Sequence, residues 1–218
     1  MARPASPDAP PVRRRDAVRT RNEILDVATS EFADRGFAGA RVDEIAERTR
    51  TTKRMIYYYF GGKEQLYVAV LERAYATARE AEREVDVDHL EPSAAIRRLA
   101  ELTFDHHESH PDFIRLVSIE NIHRAAHLRR SGRLAELNTP AIDRIARILA
   151  AGRDSGAFRR DVDAVDLHMI ISSYCVFRVA NRHTWATLFG RDLTDPALRQ
   201  RYRTMLGDLV VEYLTAGS

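Results

Sequence analysis

The residues most able to do chemistry cluster between Arg48 and Lys63. Arg48, Arg50, Lys53, Arg54 and Lys63 are basic, Tyr57 and Tyr58 stand among them, and no acidic residue interrupts the run. Fixed positive charge beside phenol hydroxyls suits phosphate oxygens, and a guanidinium can also fork onto a guanine edge. A face is needed before such chemistry means anything. At about 100° per residue, Ile56 and Phe60 lie one turn apart and can turn inward, which leaves Lys53, Arg54, Tyr57 and Tyr58 pointing outward. The spacing therefore predicts a short helix from Lys53 to about Tyr58 that keeps its polar side free.

Other elements must hold that helix in place. Thr52 precedes it as an N-cap, its hydroxyl able to accept a backbone N–H. Ahead of it, Val42 to Arg48 reads as another short helix with Val42, Ile45 and Ala46 on one side. Two short helices across a link of three or four residues make helix-turn-helix geometry, whose second helix lies in a DNA major groove. The free N–H groups at that helix start favour a phosphate. Lys63 follows Gly61-Gly62, opens the next helix and offers another phosphate contact. If the turn needs a left-handed residue, Arg50 carries a steric cost that glycine would avoid, while adding a phosphate contact of its own.

From Thr20 to Ala74 the sequence resembles the TetR family of one-component transcriptional regulators. The resemblance is carried above all by MIYYYFGGKEQLY (Met55 to Tyr67) and VDEIAER (Val42 to Arg48). Arg41 stands where that family often has a Thr or Ser cap, and Thr49-Arg50-Thr51 where Ala-Gly-Val is frequent. The resemblance implies an all-α protein: a three-helix helix-turn-helix head followed by a helical effector-binding and dimerisation domain. It implies a cytoplasmic homodimer, most often a repressor, released from a palindromic double-stranded operator by a small molecule. The DNA-contacting positions expected on this chain are Thr52, Lys53, Arg54, Tyr57, Tyr58 and Lys63, with Arg50, a departure from the family pattern, as an extra phosphate contact.

The expected division is an arm over 1–15, the head over 16–62, a connecting helix over 63–84 and the second domain over 85–218. The arm has Pro4, Pro7, Pro10 and Pro11 and ends in Arg13-Arg14-Arg15. Such a segment either solubilises or touches the DNA backbone or minor groove. The first helix runs from about Asp16 to Arg35 with Ile24, Leu25, Ala28 and Phe32 inward, and Gly36 is placed to end it. Leu66, Val70 and Ala74 give the connecting helix its apolar stripe. Beyond Pro92 the pattern stays helical over about 93–109, 111–130, 139–155, 164–189 and 195–216. The last two segments carry more apolar surface than one neighbour needs, so they are candidates for a dimer interface, with packing inside one chain as the other reading.

Composition excludes several classes. The chain has 218 residues, a net charge of +2 and 34 basic side chains, of which only Lys53 and Lys63 are lysines. The basic signal is therefore local. A single cysteine, Cys175, excludes an internal disulfide and suits a reducing cytoplasm. No signal peptide is expected at the Arg- and Pro-bearing N-terminus. The longest apolar run, Leu167 to Phe177, falls well short of the roughly 20 residues a membrane span requires. No phosphate-cradling glycine loop, zinc-protease motif or nucleophile elbow is present, so no enzyme and no cofactor is expected.

Polar and aromatic groups recur within the apolar second-domain helices. His107, Phe113, Asn121, Tyr174, Arg178, Asn181 and Trp185 are candidates for an effector site, since buried polar groups need partners and can line a cavity. Arg178, one turn after Tyr174, suits an effector carboxylate, or else a structural ion pair. These groups favour an aromatic, possibly acidic compound. His106 with His110, His123 with His127, and Glu120 with His123 have spacings that can share a metal ion. A helical di-metal protein or oxidase needs two Glu-x-x-His motifs and further carboxylates, and only one such motif is found. An effector-independent DNA-binding regulator is the remaining alternative.

Overall fold

The computed structural model describes residues 11–83, 87 and 89–217. Among these, the secondary structure is helical, in ten α-helices and one short 3-10 turn. In order they are α1 (Pro11–Gly39), α2 (Val42–Arg48), α3 (Lys53–Phe60), α4 (Lys63–Arg83), α5 (Pro92–Ser109), α6 (Pro111–Ile122), the 3-10 turn Leu128–Arg130, α7 (Leu134–Asp154), α8 (Ala164–Ala180), α9 (Arg182–Phe189) and α10 (Pro196–Thr215). The all-α class is as the sequence implies.

Several boundaries differ from the periodicity. Helix α1 begins at Pro11, so 11–15 of the expected arm are helical, proline being at home in a first turn. The remainder of that arm, 1–10, lies outside the described residues. Gly36, with φ 66 and ψ 175, breaks α1 where expected. The segment expected over 111–130 stops at Ile122, because Arg124 and Ala125 take positive φ of 57 and 56 and turn the chain. Helix α7 starts at Leu134 rather than Thr139 and runs through Pro140. The span 164–189 is two helices, broken at Asn181, which caps one and precedes the other.

The chain divides into two compact units, one taking in residues up to Ala74 with Arg115–Gly132, the other Tyr75–Ile114 with Arg133–Ser218. In the first unit, Ile24, Leu25, Ala28 and Phe32 of α1 meet Val42 and Ile45 of α2, Ile56 and Phe60 of α3, and Leu66, Tyr67, Val70 and Leu71 of α4. Leu116 of α6 is fully buried in the same core. In the second unit α5 is central, packed against α7, α8 and α10. Its core includes Ile96, Leu99 and Phe104 with Ile145, Leu149, Leu167, Ile171, Leu206 and Val210. Asp163 and Asp195 cap α8 and α10, accepting from Val165 N at 2.7 Å and Ala197 N at 2.9 Å.

Candidate functional site

Helix α3 divides as its periodicity predicts. Ile56 is fully buried and Phe60 nearly so, whereas Lys53, Arg54, Tyr57 and Tyr58 are exposed, Tyr58 at 72%. Thr52 caps the helix by accepting from Met55 N at 3.3 Å. The turn from α2 closes with Thr51 N–H donating to Ala46 O at 2.9 Å and Arg50 at φ 50, a left-handed C-cap of the kind glycine usually supplies. Lys53 Nζ donates to Asp43 Oδ2 of α2 at 3.2 Å, an exposed contact that water and a phosphate can compete for. Lys63 donates to Ala38 O at 3.3 Å and stands 4.9 Å from the Phe37 ring centroid; burial lowers its pKa. It tethers the α1–α2 turn as well as presenting charge.

Helix α2 has no side-chain cap, since Arg41 supplies none. The cap comes from α1. Glu31, only 4% exposed, accepts from Arg41 N at 3.2 Å and meets Arg35 Nε at 3.3 Å and Arg48 Nη1 at 3.5 Å. One buried carboxylate thus holds both ends of α2. The sequence reading did not single it out; the i,i+4 pair with Arg35 was its only local signal.

A second buried carboxylate organises the 115–132 segment. Glu120, fully buried, accepts from His127 Nδ1 at 2.9 Å and from the backbone N–H of His127 and Leu128, each at 3.1 Å. Burial raises its pKa, and these hydrogen bonds outweigh that to lower it overall. The His127 ring stands 4.3 Å from Phe37 and 4.9 Å from Tyr67, centroid to centroid. Burial, reinforced by the Glu120 charge, raises the Tyr67 hydroxyl's pKa. Arg115 pairs with Asp34 at 2.6 Å, Arg130 with Glu64, and Ser131 donates to Glu72 at 2.6 Å. Glu120 therefore partners His127, not the exposed His123 expected from the Glu-x-x-His spacing. Among the described residues no three His, Cys, Asp or Glu side chains gather as a metal donor set.

The expected effector residues do not form one cluster. Asn121 falls in the first unit, exposed, and donates to Val117 O at 2.8 Å. Asn181, half-buried, donates to Phe177 O at 3.3 Å. Trp185 meets Phe177 edge to face and Phe189 at a tilt, with centroids at 5.3 and 4.4 Å. Tyr174 and Arg178 line an apolar groove of about 520 Å³ between α8 and α10, with Ile170, Phe177, Met205 and Leu209. Tyr174 donates to Tyr202 O at 3.1 Å, and Arg178 donates through Nη2 to Leu193 O at 2.8 Å and Glu108 Oε1 at 3.1 Å, while its buried Nε has no hydrogen-bond partner. Arg178 also stacks 4.0 Å over Phe104. Of the two readings of Arg178, the structure shows the structural ion pair. His107 and Phe113 do meet, at 5.6 Å between centroids. His107 is buried, donates from Nδ1 to Thr103 O at 2.7 Å, and neighbours buried His106, whose Nε2 has no hydrogen-bond partner. Burial pushes His106 down to about 3 and His107 to about 4, so both are neutral near pH 7.

An exposed, basic, tyrosine-bearing second helix on a helix-turn-helix head defines a DNA-binding transcriptional regulator. Residues 24–70 match the model for bacterial regulatory proteins of the tetR family, and 92–210 match a tetracyclin repressor-like C-terminal domain. The chain is 36% identical over 203 residues to the HTH-type transcriptional repressor NicS of Pseudomonas putida, covering 93% of this chain and 96% of that one. It is 37% identical over 108 residues to the repressor SCO4008 of Streptomyces coelicolor, covering 50% and 53%. A solved structure of the putative transcriptional regulator SCO4942, also from Streptomyces coelicolor, aligns with a TM-score of 0.64 at 28% identity, covering 89% and 98%. The chain belongs to the TetR family, as a DNA-binding repressor. No helix among the described residues is long and apolar enough to cross a membrane.

Proposed function

We propose that two copies of this chain grip a palindromic operator in the cytoplasm, each laying α3 in a major groove, and that a small molecule held by the second unit releases them. The polarity of α3 carries this reading: Ile56 and Phe60 buried, Lys53, Arg54, Tyr57 and Tyr58 exposed. Lys53, Arg50 and Lys63 supply phosphate contacts, Arg54 and the tyrosines reach base edges or sugar-phosphate, and Thr52 presents the helix start.

The two copies meet through α8 and α10. Val165, Met169, Phe177, Met205, Leu209 and Tyr213 leave an apolar face exposed along these helices, more than a monomer's surface ordinarily tolerates. A four-helix arrangement across a twofold axis covers it. The effector is held against His107 and Phe113, where neutral buried histidines offer hydrogen bonds beside aromatic walls. A ligand that prefers one spacing of the heads then weakens DNA binding, and DNA weakens ligand binding by the same factor.

The test is operator titration by fluorescence anisotropy. Tyr58→Ala weakens binding about tenfold or more with the dimer intact. Unchanged affinity across a range of salt sinks the assignment of α3 as the reading helix.

A further inference from the structure

A different pocket, within the second unit, is lined by Arg79 and Arg83 of α4 and by Pro140, Ala141, Asp143, Arg144 and Arg147 of α7, and has a volume of about 220 Å³. Among the described residues, four guanidiniums and one carboxylate line it. We propose that this pocket binds a phosphate group, either free or carried on a larger metabolite.

Two observations support the assignment. First, half of the charge is unspent: among the described residues Arg83 and Arg147 make no ion pair or hydrogen bond, whereas Arg79 and Arg144 already have interaction partners. Second, an ordinary solvated basic face spreads its guanidiniums into water, whereas Arg79 is drawn in until only 6% of it is exposed, flooring the pocket.

The choice of anion follows from number and shape. A carboxylate is satisfied by a single Arg fork. Four guanidiniums converging on a small cavity match a group with several acceptor oxygens and a charge near −2, and Arg is the side chain suited to it. None of its lining residues belongs to α3 or is His107 or Phe113, and among the described residues the two arginines to be substituted make no ion pair or hydrogen bond with either.

The experiment is calorimetric titration of the full-length protein with inorganic phosphate and, separately, pyrophosphate, against sodium chloride at matched ionic strength. The variants are Arg147→Ala and Arg83→Ala, both exposed, so their fold is retained and is checked by circular dichroism. Saturable millimolar or tighter binding that each variant weakens by about tenfold is the expected result. Equal affinity for the two anions assigns the site to free phosphate. Pyrophosphate tighter by about tenfold or more assigns it to the phosphate end of a larger ligand. No saturable binding of either anion, or binding that both variants leave unchanged, overturns the proposal.

Discussion

Removing the Glu31 carboxylate tests the account of how the head is held together. In Glu31→Ala the Arg41 N–H at the start of α2 loses its acceptor, because Arg41 offers no side-chain cap of its own. A stranded, poorly solvated backbone donor costs about 1–3 kcal/mol. Arg35 and Arg48 also lose their partner, but their side chains are 61% and 47% exposed, so water replaces most of it and each adds on the order of 0.5 kcal/mol. The sum is roughly 2–4 kcal/mol of head stability. Glu31→Gln keeps an oxygen for Arg41 N–H and loses only charge, so it costs on the order of 1 kcal/mol. The assay is urea denaturation followed by two signals. Trp185, the only tryptophan, lies in the second unit, so its fluorescence reports that unit, whereas far-ultraviolet circular dichroism reports every helix. An early circular dichroism transition in Glu31→Ala, ahead of the fluorescence change, is expected, together with weaker operator binding. A midpoint within about 0.5 kcal/mol of wild type, the range of ordinary surface substitutions, refutes the reasoning.

Three further outcomes follow from the same geometry. Arg50→Gly relieves a left-handed non-glycine residue at φ 50, so thermal unfolding should show a gain of about 0.5–1 kcal/mol while operator binding weakens and its salt slope drops by about one; loss of stability would contradict the strain argument. Gly152→Ala places a methyl 2.0 Å from the buried Phe158 ring, so calorimetric scans should show destabilisation by about 1–3 kcal/mol, and an unchanged transition would contradict the packing argument. His106 and His107 are held at about 3 and about 4 when folded, below the ordinary histidine value, so between those values and about 6.5 the unfolded chain binds more protons. Stability therefore falls as pH drops through that window, and replacing both histidines with glutamine should flatten the urea midpoint's pH dependence there.

The reading helix was legible because its determinants are local. Ile56 and Phe60 are one turn apart, and Thr52 sits immediately before the helix. Arg50's positive φ follows from the lack of a glycine in a turn that needs one. What remained hidden depends on partners far along the chain. Arg178 meets Glu108 across 70 positions, so spacing alone left effector clamp and ion pair equally open. Glu31 sits in a charged helix and looks like surface until α2 folds over it. The stop of α6 at Ile122 had no glycine or proline to announce it. There, Arg124 and Ala125 adopt left-handed backbone that alanine and arginine disfavour. The fully satisfied carboxylate of Glu120 binds both backbone N–H groups and the ring just past that turn, which offsets the cost. Buried acids therefore set the geometry of this chain at two places where local propensity points elsewhere. Both lie in the unit that carries α3, so the precision with which Tyr57 and Tyr58 are aimed rests on Glu31 and Glu120 as much as on the helix that bears them.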